Sequence, residues 1–327
     1  MLIRDASLLS VLQTQTASIN MRVLETPMTD ITYPSLLNVN TSYQEWQPNT
    51  QQIVMGAGVG QAQWISGGAK DVNLVDTTAT ISGINFAVFA VGYEVNDEEL
   101  GLAANANMPI SDVKARIARR KAEEFIESRV LIGDADKGWT GMVNKTGVTI
   151  LPASVKAAGG TQIVNNDGTL NATPSEIARD MVNLILGPVT SVNSVRPIAI
   201  DTVAVPSLVF RALASTFTDA LNGGISYLEF IRRQISGAVP GTSFQIVEIP
   251  ELATAATTVI AGGGRIIGYR RSADIVELPM PFAFRFASQY RDGPFNVMVP
   301  GWARFGEVTI WNQRGWRYMD GVSPVPA

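Results

Sequence analysis

The chain has 327 residues, of which 46% are hydrophobic and only 17% charged, with a formal net charge of −4; this length accommodates two packed domains or one large irregular one. It contains no cysteine and no histidine, which excludes disulfides, thiolate nucleophiles, Cys/His zinc sites and every histidine-based acid–base mechanism. Avid nucleic-acid binders carry a basic excess, so this chain is not expected to grip DNA tightly, and its scarcity of charge favours burial of surface against partners.

The N-terminal 50 residues are predicted to form little structure of their own. A rough helical spacing of apolar residues at 1–21 predicts a short amphipathic helix. Residues 22–49 contain Pro27, Pro34 and Pro48, each of which removes a backbone donor and extends the residue before it. This arm is either laid over another surface or a flexible tail. Neither a secretory signal nor a run of about 18 apolar residues is found, so we expect synthesis in the cytosol.

The next segment has the pattern of a long β-hairpin followed by a buried strand. Residues 50–83 are rich in Gly, Ala, Thr and Val, with glycine clusters at 56–60 and 67–68, and they supply little bulk for a core of their own. Residues 84–95 (INFAVFAVGYEV) are apolar at both alternating sets of positions. That pattern predicts a strand buried at the centre of a sheet.

Residues 110–132 give the clearest helical pattern. Apolar residues recur every three or four positions, Pro109 suits the first turn, and Gly133 suits the stop. The charges are segregated, with Lys and Arg in the first half and Glu in the second, which is the reverse of what the helix dipole favours. They form either a solvated face with pairs three and four residues apart or a surface that neighbouring copies complement.

The remainder alternates helices and strands and ends in β structure. The sequence TPSE at 173–176 is a capping box that starts a second helix ending near Gly187. A compact α/β insert follows, and residues 275–322 predict strands with aromatic residues spaced by turns. The predicted elements of the insert are a strand at 196–205, helices at 207–215 and 226–236, a strand at 244–249 and strands through 257–269.

No motif makes a convincing chemical site. The glycine run at 56–60 lacks the GxGxxG spacing and opens no helix, so it does not predict a nucleotide site. Asp134 and Asp136, with Asp71 and Asp76 elsewhere, are the best metal candidates. No EF-hand pattern follows Asp134 and Asp136, and they fit better as caps at the end of the helix. The acidic run at 97–99 fits the first turn of a helix. We therefore predict no enzyme activity, no cofactor and no metal.

Three short runs stand in a fixed order along the chain. Gly133 and Asp134 are followed by GWTGMVN at 138–144, the run YRRSADIVELPMPF occupies 269–282, and the chain closes with VPGWAR at 299–304 and YMDGV at 318–322. This order resembles the major capsid proteins of tailed double-stranded-DNA bacteriophages and the related encapsulins. In that family a long spine helix ends in a turn of the pattern GD…G(I/W)xG(L/M)xN.

The resemblance implies an α+β chain with the Hong Kong 97 fold, a structural subunit that self-assembles as hexamers and pentamers into an icosahedral capsid around the phage genome. The implied parts are an N-terminal arm (1–50), an extended E-loop hairpin (51–85), a peripheral domain (86–190 and 271–327) with the spine helix at 110–132, and an α/β axial domain (191–270). Such a chain is a component of the virion and is assembled in the host cytoplasm.

The resemblance also implies contacts between subunits. In some members of the family a lysine of the E-loop is joined to an asparagine of a neighbouring subunit beside a glutamate, and the candidates here are Lys70, Asn296 or Asn312, and Glu307. This reaction needs a neutral amine, which the adjacent Asp71 disfavours, so a salt bridge is the favoured prediction for Lys70. The predicted inter-subunit contacts are Trp64, Lys70 and Asp71 in the E-loop and Arg116, Arg119, Arg120, Glu123 and Glu127 on the spine helix.

The expected partners are further copies of the chain, a portal protein, and scaffolding or decoration proteins. Because Met1 lies so close to the arm, a long built-in scaffolding segment is not expected. DNA is expected to be enclosed without sequence-specific binding, and no membrane is expected. An encapsulin shell around a protein cargo is the alternative with the same fold. A carboxylate-dependent hydrolase or a β-rich adhesin is the alternative outside it, and a monomer on a sizing column would favour that class.

Overall fold

The computed structural model describes residues 30–55, 64, 79–106, 110–187, 198–218, 224–238 and 244–326. The amphipathic helix predicted at 1–21, the glycine clusters and the contact residues Lys70 and Asp71 lie outside the described residues. The elements described here all belong to one compact unit, Thr32–Ala327.

The elements follow one another as an α+β chain. The helices are α1 (Tyr33–Leu36), α2 (Asp97–Ala106), α3 (Ile110–Leu131), α4 (Pro174–Leu186), α5 (Ser207–Ser215) and α6 (Tyr227–Ala238). The strands are β1 (Asn38–Asn40), β2 (Asn49–Met55), β3 (Ala79–Ala90), β4 (Tyr93–Asn96), β5 (Gly133–Asp134), β6 (Trp139–Thr140), β7 (Thr149–Pro152), β8 (Thr202–Val205), β9 (Gln245–Glu248), β10 (Gly264–Tyr269), β11 (Val276–Pro279), β12 (Phe282–Phe286), β13 (Tyr290–Arg291), β14 (Asn296–Val299), β15 (Gly301–Gly306), β16 (Thr309–Ile310) and β17 (Trp316–Ser323).

The predicted hairpin is confirmed at its base. Strands β2 and β3 pair antiparallel in unbroken register from Asn49 opposite Asn85 to Met55 opposite Ala79. Strand β3 then continues into the sheet ordered β12–β15–β3–β2. The hairpin is therefore a direct extension of that sheet, whose other strands come from the C-terminal part of the chain.

The strand predicted at 84–95 is only partly correct. Strand β3 does lie between two partners, but it ends at Ala90, and the chain enters a different sheet, β13–β14–β4, as strand β4. At this switch the position of Gly92 requires glycine, since a Cβ there would lie 2.7 Å from the carbonyl oxygen of Val299. The prediction of burial on both faces is also wrong within the subunit, because the side chain of Val88 is 50% exposed.

The long helix is confirmed, and it packs on one face of the β12–β15–β3–β2 sheet. Ala122 of α3 forms a small core with Phe284 and Ala303, and the rings of Phe89 and Phe125 lie 4.8 Å apart. The small Ala122 side chain allows the helix to approach the sheet closely, while aromatic rings fill the space on either side. Gly133, with a φ of 93°, follows the helix at the predicted stop.

A second core forms around the sheet ordered β7–β17–β10–β8–β9. Helix α4 begins with the predicted capping box, in which Thr173 and Glu176 satisfy each other's backbone N–H groups. Its apolar face, including Ile177, Met181 and Leu184, packs against buried valines and isoleucines of the sheet and of helices α5 and α6. The sequence periodicity of α4 thus marks the face that the fold buries.

The predicted α/β insert is confirmed for its helices and for strand β9, each within two residues. The strand predicted at 196–205 is seen at Thr202–Val205, and the strands predicted through 257–269 reduce to Gly264–Tyr269. Strands β7 and β17 and helix α4 come from outside the predicted axial segment 191–270, yet they share its sheet and core. Backbone pairing and packing therefore cross both predicted boundaries.

A buried ion pair joins the strands of this second core. The Arg265 guanidinium donates to the Asp320 carboxylate at 2.6 and 2.9 Å and to the carbonyl of Val143 at 2.8 Å. The same carboxylate accepts from the backbone N–H groups of Thr257 and Thr258. Burial by itself would raise the pKa of Asp320. The hydrogen bonds from Arg265 and from these two amides have the larger combined effect, so the pKa of Asp320 is lowered.

We expect Asp320→Asn to lower the free energy of unfolding by about 3–5 kcal/mol, because it leaves the Arg265 guanidinium buried without its counter-charge. A carboxylate with a lowered pKa stabilises the fold fully above its ordinary pKa near 4, and this contribution is lost as the pH falls through the lowered value. The measurement is denaturant unfolding of the unassembled subunit between pH 7 and pH 3. Exposed Asp136→Asn is the control, with an expected change within about 0.5 kcal/mol; equal effects of the two substitutions would contradict this account.

Candidate assembly surfaces

The glycine-rich turn after α3 closes the end of that helix. The backbone N–H groups of Met142 and Val143 donate to the carbonyls of Val130 and Leu131, which the end of the helix would otherwise leave unpaired. Asn144 accepts from the Gly141 N–H at 2.7 Å and donates to the Ile132 carbonyl at 2.9 Å. The asparagine therefore locks the turn.

The turn leaves no room for larger residues at two of its glycines. A Cβ on Gly141 would lie 2.2 Å from the Leu131 carbonyl oxygen, and one on Gly133 would lie 2.5 Å from that of Trp139. Asp134 caps a short 3₁₀ helix by accepting from the Asp136 N–H, and its carboxylate lies 3.3 Å from Arg129. Asp134 therefore caps the 3₁₀ helix that follows and not the end of α3 itself, so the prediction of a cap on the long helix is wrong.

The charges on α3 are partly paired along the helix. Glu124 lies 3.4 Å from Arg120 and 2.7 Å from Lys121, so the predicted pairing at three and four residues is confirmed there. The hydrogen bond from Lys121 is the main cause of a lowered pKa at Glu124. Arg116 and Arg119 are both exposed, and Arg119 makes no ion pair within the part of the chain that the structure describes.

Two glutamates of α3 hold the N-terminal part of the same chain. The Tyr33 hydroxyl donates to Glu123 at 2.7 Å, and the N–H and hydroxyl of Thr32 donate to Glu127 at 2.8 and 2.6 Å. Burial, together with the hydrogen bond to Glu123, raises the pKa of Tyr33. No sequence signal pointed to Thr32 and Tyr33, because their partners lie about 90 residues away. A role of Glu123 and Glu127 between subunits stays a prediction.

Residues 32–46, here called the strap, contact helix α3, strand β11 and strand β12 in turn. After leaving α3, the strap pairs β1 in parallel with β11, and the Leu36 carbonyl accepts from the Tyr269 hydroxyl at 2.9 Å. The other face of the β12–β15–β3–β2 sheet is covered at one end, where Trp46 lies 5.7 Å from Phe282. The surface over which this half of the arm is laid therefore belongs to the same chain.

The strap is fixed mainly by carboxylates. The buried Glu277 accepts from Asn40 at 2.9 Å and from the Tyr43 hydroxyl at 2.5 Å, and Glu45 lies 2.8 Å from Arg285. Each end of the strap continues into a predicted extension of the subunit, the N-terminal residues on one side and the hairpin on the other. Its attachment sets the points from which both leave the core.

The residues proposed for a covalent crosslink are engaged within the chain or lie outside the described residues. Glu307 accepts from Lys145 at 3.0 Å, Asn312 caps a 3₁₀ helix by accepting from the Arg314 N–H, and Asn296 sits in strand β14. Lys70 lies outside the described residues. Trp64, the one described residue between positions 56 and 78, is exposed. The salt bridge predicted for Lys70 stays a prediction.

Among the described residues, no cluster of three or more acidic side chains is arranged to hold a metal ion. Within the same residues, no helix is both long and apolar enough to cross a membrane. Lys156 and Asp180 form a further buried ion pair beneath Ser154.

We expect Tyr33→Phe to lower the free energy of unfolding by about 1.5–3 kcal/mol, because it removes the hydrogen bond that the Tyr33 hydroxyl donates to the charged carboxylate of Glu123. Limited proteolysis should also cut near residue 32 faster in this variant, since the strap opens more often. The matched control is Tyr290→Phe. The exposed hydroxyl of Tyr290 donates to the Met298 sulfur, an uncharged acceptor. A Tyr33→Phe variant as stable and as protease-resistant as the control would show that the strap is held by other contacts.

The fold is shared with known phage capsids. The capsid of Myoviridae phage XM1 matches with a TM-score of 0.70 at 13% identity, covering 92% of this chain and 95% of that one. The capsid of an empty GTA particle matches with a TM-score of 0.59 at 12% identity over 93% and 94%, and Mycobacterium phage Bobi with 0.55 at 13% over 92% and 93%. A search of curated protein sequences finds no match.

The family is shown by sequence. The family model described as "Major capsid protein" matches residues 60–322, which is well over half of the chain. The proteins of this family are structural, and nothing in these comparisons favours the encapsulin alternative. By this match and by its Hong Kong 97 fold, the chain belongs to the major capsid protein family of tailed bacteriophages and is a structural subunit of the virion.

Proposed function

We propose that the chain assembles as hexamers and pentamers into an icosahedral shell that encloses double-stranded DNA. The observation that carries this proposal is the match of residues 60–322 to the major capsid protein family, together with the fold that the chain shares with solved phage capsids. Separate elements of the subunit also carry exposed apolar side chains, namely Val88 on the sheet, Leu100 on α2, Phe217 after α5 and Phe295 beside β14. A shell subunit meets several neighbours at once, and contacts with those neighbours can bury such side chains.

The charge of the chain supports enclosure of DNA rather than tight binding. With a net charge of −4 the chain has no overall basic excess to neutralise phosphates, so packaged DNA would be confined by the shell wall. Assembly in the host cytoplasm, a portal protein, and scaffolding or decoration proteins belong to the same proposal, as does the absence of catalysis. Electron microscopy of the purified chain tests it directly, and a monomer under all assembly conditions would contradict it.

The first assembly prediction concerns the hairpin, which we propose as a clasp between subunits. Met55 and Ala79 face each other in the register of β2 and β3, so residues 56–78 can be replaced by a two-residue Asn-Gly turn, which suits an antiparallel pair. We expect this variant to remain folded by circular dichroism but to run as monomers or single capsomers, without closed shells. Shells of normal size and yield from the shortened chain would contradict the clasp.

The second assembly prediction concerns Arg119 and Arg120 of α3, which we propose pair with neighbouring subunits. We expect Arg119→Glu, alone and with Arg120→Glu, to reduce shell yield more at 20 mM salt than at 500 mM, because salt screens exposed charges. Testing Arg119 alone separates this effect from loss of the internal pair between Arg120 and Glu124. The control is Arg233→Glu, which reverses an exposed arginine on α6. A yield that does not depend on salt would argue against pairing between subunits.

A further inference from the structure

A small pocket lies between the β13–β14–β4 sheet and helix α2. Its volume is about 200 Å³. Apolar side chains alternate with polar ones in its wall, where Asn96, Ser111 and Gln289 also lie, and an Arg291–Asp97 ion pair of 3.4 Å is part of the lining. The apolar lining residues are Tyr93, Val95, Leu100, Val297 and Val299.

An exposed phenylalanine lies close to this pocket. Val297 pairs with Val95 and Val299 with Tyr93 across β14 and β4. Phe295 lies in the bend that precedes β14, and its carbonyl accepts from the N–H of Asp97, a residue of the pocket wall, at 2.8 Å. The backbone of Phe295 therefore lies beside the pocket, and the residue is 66% exposed.

The size and chemistry of the pocket suit one neutral aromatic ring. A cavity of roughly 150 Å³ lined by apolar side chains is enough to take a benzene molecule, while pockets for drug-sized ligands run from about 300 to 1,000 Å³. Because Arg291 and Asp97 neutralise each other in the lining, no charged group is called for. A buried aromatic anchor in such a pocket is typical of the residues that dominate protein interfaces.

We propose that Phe295 of one subunit inserts into this pocket of a second copy. The inference rests on the proposed shell function, in which copies of the chain are one another's main partners. Phe295 and the pocket lie close together on one subunit. Two copies that face each other there can therefore each insert a phenylalanine into the other's pocket. The contact buries the exposed ring and covers Leu100, which is 51% exposed in the single subunit.

The absence of native cysteine allows a direct test by disulfide trapping. Chains carrying Phe295→Cys and chains carrying Leu100→Cys are mixed, assembled and oxidised. A disulfide requires Cα atoms within about 7 Å, so a linked dimer should form, with mass spectrometry identifying the peptides around positions 295 and 100 as joined. The matched control replaces Phe295→Cys by Phe217→Cys, at a phenylalanine that is 64% exposed elsewhere in the fold.

The outcomes separate this inference from the proposed function. Shells without a 295–100 link, or with as much 217–100 link, would overturn the contact and leave the shell function standing. Failure of the unsubstituted chain to form any shell would overturn both. In a second measurement, shells assembled from Phe295→Ala chains should dissociate at a lower temperature than shells from Phe217→Ala chains, and equal dissociation temperatures would also overturn the contact.

Discussion

Strand β17 is the element on which both cores depend. Arg265 on the neighbouring strand pairs with Asp320 and also reaches the carbonyl of Val143, in the turn that ends the long helix. Tyr318 of the same strand donates to the Met142 carbonyl at 2.6 Å. The end of α3 is thus hydrogen-bonded to the second core by buried polar groups, which tolerate little change in geometry.

Arg317 extends the same constraint to helix α4. Its guanidinium donates to the carbonyls of Leu184 and Ile185 at the end of that helix and to that of Ile198. Burial lowers the pKa of Arg317, yet each of these hydrogen bonds favours the charged guanidinium. Through Arg317, Tyr318 and Asp320, one strand therefore sets the position of the ends of two helices.

The strap and the exposed apolar residues show how one subunit is prepared for many contacts. Glu123 and Glu127 fix the N-terminal end of the strap against α3, and Glu277 and the Glu45–Arg285 ion pair hold the part that leads to the hairpin. Apolar side chains such as Val88 and Phe295 are left without cover in the single chain. A rigid core with exposed apolar side chains favours association. Burying those side chains releases water from them, and the core loses little conformational freedom.

The sequence by itself determined the local elements and the class of protein. The periodicity of α3 and α4 and the capping box at Thr173 were predicted correctly, because each depends on neighbours within a few residues. The base of the hairpin was predicted from its composition, and the glycine turn from its resemblance to a known family. It also excluded cysteine and histidine chemistry outright. Only the tertiary structure decided that β3 ends at Ala90 and leaves one face open, that the strap binds its own α3, and that Phe295 stands beside a pocket. Those contacts join residues far apart in the chain, and no local pattern encodes them.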